Sequence, residues 1–181
     1  MRYFFRRRVP EFSRVILIES GSRHIAERML ALLYQRPGLE RLDLVTCFPG
    51  LPAGFDLERG RAWRVTDYPD RARRIRFLRE LAAEGHRIAV MLSTGEPIMT
   101  KWKWLLVMRL PVKVLVVNEN CDYFWLDYSN WRIMRHFVLV RLGLSGAGAV
   151  STLGRLAAFP FLVAYLVFYT ARVHLRRRVR A

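Results

Sequence analysis

The sequence predicts an α/β fold: a doubly wound parallel sheet of about five strands, followed by an apolar helix that associates with a membrane. Short, near-continuous apolar runs alternate with helical stripes, and strands buried on both faces of a parallel sheet have this appearance. The tail has a different signature. Between Leu142 and Ala171 the only charge is Arg155, and a basic close follows at Arg172, Arg176, Arg177, Arg178 and Arg180.

Residues 14–18 (RVILI) read as a first buried strand. The turn Glu19-Ser20-Gly21-Ser22 leads into a helix over 23–35, with Ile25, Met29, Leu32 and Leu33 on its apolar side and Ser22 placed to cap it. Residues 42–46 form a second strand. Residues 49–60 hold two prolines and three glycines and read as a loop. A short strand over 62–65 precedes a helix from Asp70, its capping residue, to Glu84, with Gly85 stopping it. Residues 87–92 make the fourth strand. Ser93-Thr94-Gly95-Glu96-Pro97 then turns into a helix that Pro111 ends. A fifth strand covers 112–117, and a last helix covers about 130–142. With right-handed crossovers the assembly is Rossmann-like. The expected organisation is a basic segment (1–13), the α/β domain (14–142) and the apolar helix with its basic tail (143–181).

The tail has three readings. The uncharged run 156–171 is shorter than the roughly 20 residues of a full crossing, so a tilted span would need Arg155 to snorkel. Pro160 would kink a helix, which suits a re-entrant or in-plane anchor with Phe159, Tyr165, Phe168 and Tyr169 at the lipid interface. A buried C-terminal helix is the third reading. The N-terminus is basic but has no long apolar run after it, so it is no secretory signal. Arginine-rich flanks stay on the cytoplasmic side, which places the protein at the cytoplasmic face of a membrane.

The formal net charge of +16 draws such a chain to anionic lipids, its expected partners. A nucleic-acid partner is disfavoured, because the arginines gather at the two ends and on one helix (Arg71, Arg73, Arg74, Arg76, Arg79) without a recognition motif. Cys47 and Cys121 have no metal-ligand spacing and read as free thiols. None of the four histidines is paired at ligand spacing, so no cysteine or histidine metal site is expected. Lys101 and Lys103, beside Trp102 and Trp104, read as a solvated face with snorkelling lysines.

Ligands of such sheets sit beyond the carboxyl ends of the strands. Polar residues gather at four of these ends: Glu19, Ser20, Gly21 and Ser22; Asp67; Ser93, Thr94, Gly95 and Glu96; and Asn118, Glu119, Asn120 and Asp122. Glycines allow close backbone approach, and helix N-termini offer free N–H groups to a phosphate or a sugar hydroxyl. The dinucleotide, P-loop and nucleophile-elbow motifs are all absent. Glu119 and Glu96 are the candidate bases. Glu119 with Asp122 is also the candidate holder of a Mg2+ ion bound with a nucleotide sugar. Capped turns ahead of a core-facing aromatic cluster explain the same residues without a ligand.

The Ser93–Pro97 turn, its helix and the strand running from Leu110 to Asn118 resemble the N-terminal half of GT-B-fold glycosyltransferases, of the lipopolysaccharide heptosyltransferase type. The chain as a whole resembles uncharacterised bacterial proteins of envelope polysaccharide gene clusters, through ESGSRH (19–24), GEPIMTKWKW (95–104) and NENCDYFW (118–125). The resemblance implies a membrane-associated, glycosyltransferase-like protein of envelope polysaccharide or glycolipid assembly, acting on a lipid-linked sugar. In that family the second domain binds most of the donor, and here the tail stands in its place. The alternatives are a non-catalytic scaffold that recruits a partner glycosyltransferase and a charge-driven nucleic-acid binder.

Overall fold

The structure is a computed structural model that describes residues 5, 7–96, 98–142 and 149–180; within the helices, the side chains of 141, 149, 150, 152, 153, 156 and 173–180 lie outside the description. It divides into two compact units, Met1–Asn130 and Trp131–Ala181.

The first unit carries one six-stranded sheet. Its strands are β1 (Arg14–Glu19), β2 (Arg41–Thr46), β3 (Ala62–Arg64), β4 (Ile88–Leu92), β5 (Lys113–Val117) and β6 (Tyr123–Trp125), in the order β3-β2-β1-β4-β5-β6. All pairings are parallel except β5 with β6. The expectation of about five strands is therefore corrected to six. The segment 118–122 folds into a turn instead of leaving the sheet, and Tyr123, Phe124 and Trp125 come back opposite Val117, Val116 and Leu115.

Residues 15–18 are fully buried, as their unbroken apolar run requires. Each such Leu or Ile contributes roughly 1.5–3 kcal/mol when it leaves water. Successive side chains point to opposite faces. Val15, Leu17, Leu42, Leu44, Val90 and Leu115 join the core of α1 (Arg23–Tyr34) on one face. The helices α2 (Arg71–Ala83) and α3 (Thr100–Arg109) bring Phe77, Leu81, Leu106 and Val107 to the other. Trp102 meets Phe77 edge-on at 5.8 Å between ring centroids.

Local chemistry sets the helix ends. Asp70 caps α2 by accepting from the Arg73 N–H at 2.8 Å, and Gly85 ends the helix with φ +72°. Ser22 precedes α1 without a side-chain capping bond, contrary to its expected capping role. Helix α3 starts at Thr100, after Met99 in the left-handed region, and not at Pro97, which lies outside the described residues. Lys103 is buried and not on a solvated face. No helix links β2 to β3. That loop is held by side chains of α1: Ala53 N–H donates to Glu27 at 2.9 Å and Asp56 N–H to the Tyr34 hydroxyl at 3.0 Å.

The second unit holds α4 (Trp131–Arg141) and α5 (Ala149–Arg180). Helix α5 runs unbroken through Pro160, so the break expected there is absent. Among the described residues no helix is long and apolar enough to cross a membrane, and the tilted crossing is set aside. Along α5, Phe159, Phe161, Tyr165, Phe168 and Tyr169 are all exposed. Tyr165 and Tyr169 stack one turn apart at 6.2 Å. Pro160 and Arg172 are exposed on the same helix; Arg176, Arg177 and Arg178 lie along it, but their side chains are outside the described residues.

Candidate functional site

Strands β1 and β4 are neighbours, and the chain leaves them in opposite directions, from β1 towards β2 and from β4 towards β5. Their carboxyl ends therefore flank the crevice where the winding of the sheet reverses, the usual ligand position in such folds. Three of the four polar loops expected from the sequence meet there. Ser20 Oγ donates to the Leu92 carbonyl across the two strands. A Cβ on Gly21 would collide with Thr94 Cγ2, so this approach requires glycine. The Gly95 N–H donates to Glu119 Oε1, which joins the β4 loop to the β5 loop.

Asp67 does not belong to this group. It ends a 3-10 turn after β3, the edge strand, two strands away from β1 and so about 10 Å across the sheet.

Asn118, Asn120 and Asp122 build a turn. The Asn118 side-chain oxygen accepts from the N–H groups of Asn120 and Asp122, each at 2.9 Å, and its amide donates to Asp122 Oδ2 at 3.2 Å. Cys121 completes the reversal with φ +64°. These polar groups are used within the hairpin. Glu119 is exposed but engaged by Gly95, while Glu96 is exposed on the adjacent loop. The carboxylate of Glu119 thus sits on the N–H that an incoming anion would use. Among the described residues no three His, Cys, Asp or Glu side chains gather as a metal site. Because Asp122 is bound to Asn118 and Glu119 to Gly95, this pair does not fit the Mg2+ role considered from the sequence.

Glu19 is the exceptional member. It has no exposed surface. Its Oε1 accepts from Arg23 Nε at 3.1 Å, and its Oε2 has no hydrogen-bond partner among the described residues. A buried carboxylate oxygen without a donor is costly, and native structures contain few of them. Arg23 is pinned in turn. Its guanidinium donates to the carbonyls of Pro49 at 3.1 Å and Gly50 at 3.3 Å, and lies 5.3 Å from the Phe48 ring centroid. The β2–β3 loop is thereby tied over the end of β1. Burial pushes the Cys47 thiol up, and the nearby Glu19 charge pushes the same way. Arg23 was not among the expected site residues. Its signal was a local contradiction: an arginine opening α1, where the helix dipole disfavours a cation, four residues after a glutamate.

A second polar cluster lies on the α2 face. Asp43 is fully buried in β2, and its Oδ2 meets His86 Nε2 at 2.8 Å. Its Oδ1 accepts from Arg41 Nε at 2.9 Å and from the Arg61 N–H at 2.7 Å. Burial alone would raise the Asp43 pKa, but the bonds from His86, Arg41 and Arg61 outweigh it and hold the carboxyl below its ordinary value. His86 also contacts the Leu81 carbonyl at 3.3 Å, and Glu84 binds Arg41 at 2.7 Å. Both oxygens of Asp43 are filled, so this cluster clamps the end of α2 to the sheet. Lys113 and Asp127, both buried and 2.9 Å apart, fasten β5 to the chain leaving β6 in the same way.

No protein family's profile matches the chain, and no curated protein or solved structure matches it.

Proposed function

We propose that this chain is a membrane-surface protein of envelope polysaccharide or glycolipid assembly, at the cytoplasmic face of a bacterial inner membrane, whose α/β unit binds a sugar-bearing ligand in the crevice between β1 and β4. The observation that carries the reading is the unfilled oxygen of buried Glu19. An ionised carboxylate only accepts hydrogen bonds, so its missing partner is a donor such as a sugar hydroxyl, not a phosphate oxygen. The first N–H groups of α1, next to it, suit the anionic part of the same molecule. Architecture of this kind is what half of a GT-B glycosyltransferase would present, and the resemblance of the sequence points the same way.

One observation favours the non-catalytic form of the reading, in which the unit binds a glycan and recruits a partner glycosyltransferase. Glu119, the first candidate base, is held by the Gly95 N–H. Glu96 is the carboxylate of the crest left for general-base work. At the membrane, the exposed aromatics of α5 and its basic end suit an in-plane seat on anionic lipid. Flotation with anionic vesicles and its absence with neutral ones is the expected result there.

The direct test is a thermal-shift series with nucleotide sugars, nucleoside diphosphates and polyprenyl phosphate, each with and without magnesium. One nucleotide sugar at a hundredfold excess over its Kd stabilises the wild type by about 2.7 kcal/mol. Glu19→Ala abolishes that shift. No shift with any sugar-bearing compound removes the reading, and a shift that survives Glu19→Ala removes Glu19 from it.

A further inference from the structure

The face of the sheet that carries α1 is only partly covered. Strand β5 turns directly into β6 through the five residues 118–122, so no crossover helix follows it. Leu115, Tyr123 and Trp125 therefore point to the α1 face at the sheet's edge without a helix of their own above them. The gap beside α1 is a cavity of about 620 Å³. That is within the 300–1,000 Å³ range of small-ligand pockets.

Its walls are apolar: Phe12 from the N-terminal segment, Met29 and Leu33 from α1, and Leu115 and Trp125 from the sheet. Leu32, predicted from periodicity to face the core, stands at its rim half exposed. Among the described residues, Gln35 and Arg36 bring polar groups to the lining, Arg36 is its one charged side chain, and no acidic residue lines it. Its guanidinium lies 5.6 Å from the Phe12 ring centroid, at the end of α1. Arg7 and Arg8, both exposed, precede the lining residue Val9 and add to the positive field.

We infer that this cavity binds a single-chain anionic amphiphile: the aliphatic chain against the walls, and the anionic head, a lipid phosphate or a carboxylate, on Arg36. Apolar walls closed by one cation without a counter-charge match that chemistry, and a phosphate or carboxylate takes a bidentate pair of bonds from a guanidinium. The inference stands on this cavity alone and is independent of the crevice beyond β1 and β4.

Cys121 lines the cavity, and Cys47, the only other cysteine, lies outside its lining. Alkylation of the full chain with N-ethylmaleimide, followed site by site by mass spectrometry, therefore reports occupancy with an internal control. Decyl phosphate, decanoate and decyl glucoside are compared at one sub-micellar concentration. The expected result is slowed labelling of Cys121 by the anions, with Cys47 unchanged. Protection by decyl phosphate alone identifies a lipid phosphate; protection by decanoate as well extends the site to carboxylates. Arg36→Met weakens the anions about tenfold, the scale of one charge-assisted hydrogen bond, and leaves decyl glucoside unchanged. Leu32→Trp, at an exposed position, blocks all protection. Neither variant touches α5, so general detergent binding there would survive both. Equal protection by decyl glucoside, or none by any of the three, overturns the inference. Glu19→Ala leaves Cys121 protection intact, which separates this site from the proposed sugar crevice.

Discussion

Asp43 and Glu19 lie on neighbouring strands of one sheet, and neither has any exposed surface. Asp43 has donors on both oxygens: Arg41 and the Arg61 N–H on one, His86 on the other. Glu19 has Arg23 on one oxygen and, among the described residues, no partner on the other. The first carboxylate is used up by the fold. The second is ion-paired through one oxygen and keeps the other without a partner among the described residues, and it stands where the winding of the sheet reverses. Functional sites are where proteins keep the cost of such an oxygen. The contrast is between the two carboxylates: the Asp43 cluster also holds a buried atom without a partner among the described residues, Arg41 Nη2, and it is the position of Glu19 where the winding reverses that marks the candidate site.

The largest effect that would break this comparison belongs to the clamp. Asp43→Ala leaves Arg41 and His86 around an empty position, and removing one partner from a buried ionic cluster costs about 3–5 kcal/mol. Urea unfolding checks it, and a loss below about 1 kcal/mol would mean that the cluster is not a clamp. Lys113→Ala takes the partner from Asp127 Oδ2 and should cost less, because Ser129 and Asn130 still donate to Oδ1.

The pH dependence sharpens the same point. Asp43 titrates below its unfolded value of about 3.9, so its contribution is present above that pH and is lost as pH falls through the lower, folded value. The acid limb of stability should be shallower in Asp43→Asn than in the wild type. An identical slope in chemical denaturation between pH 5 and 2 would show that other carboxylates set it.

A smaller effect is expected at the crest. Glu119→Ala removes the bond to the Gly95 N–H, worth about 1–2 kcal/mol at most for an exposed pair. It also frees that N–H for a ligand anion. Nucleotide-sugar affinity should therefore be kept or raised, whereas a catalytic base would show unchanged binding and lost turnover.

Much of this was legible in the sequence. Strands β1, β2, β4 and β5 are largely apolar runs bounded by Gly, Pro and capping residues, and these are local signals; β3, Ala62–Arg64, is short and mostly exposed. Asp70 and Gly85 sit at the ends of α2 as expected. The carboxyl-end loops of β1, β4 and β5 were identifiable because parallel strands joined by helices place their carboxyl ends along one edge of the sheet. What escaped the sequence was non-local. Strand β6 is three residues long and exists only because Asn118 reverses the chain. The Asp43–His86 contact joins residues 43 positions apart, and the alternation Leu42-Asp43-Leu44 gives no sign of it. The cavity under Trp125 arises from a helix that the connection does not include. Arg23 lay in a motif already in view, but its importance depends on loop carbonyls 26 to 28 residues away.

The most direct measurement is the unliganded melting temperature of Glu19→Gln beside Asp43→Asn. The amide keeps an acceptor for Arg23 and puts a neutral group in place of the buried carboxylate oxygen that has no donor among the described residues, at the loss of the ion pair to Arg23. The account predicts that Glu19→Gln melts at or above the wild-type temperature while Asp43→Asn melts several degrees below it. Equal destabilisation by the two would contradict it, because Glu19 would then serve the fold as Asp43 does.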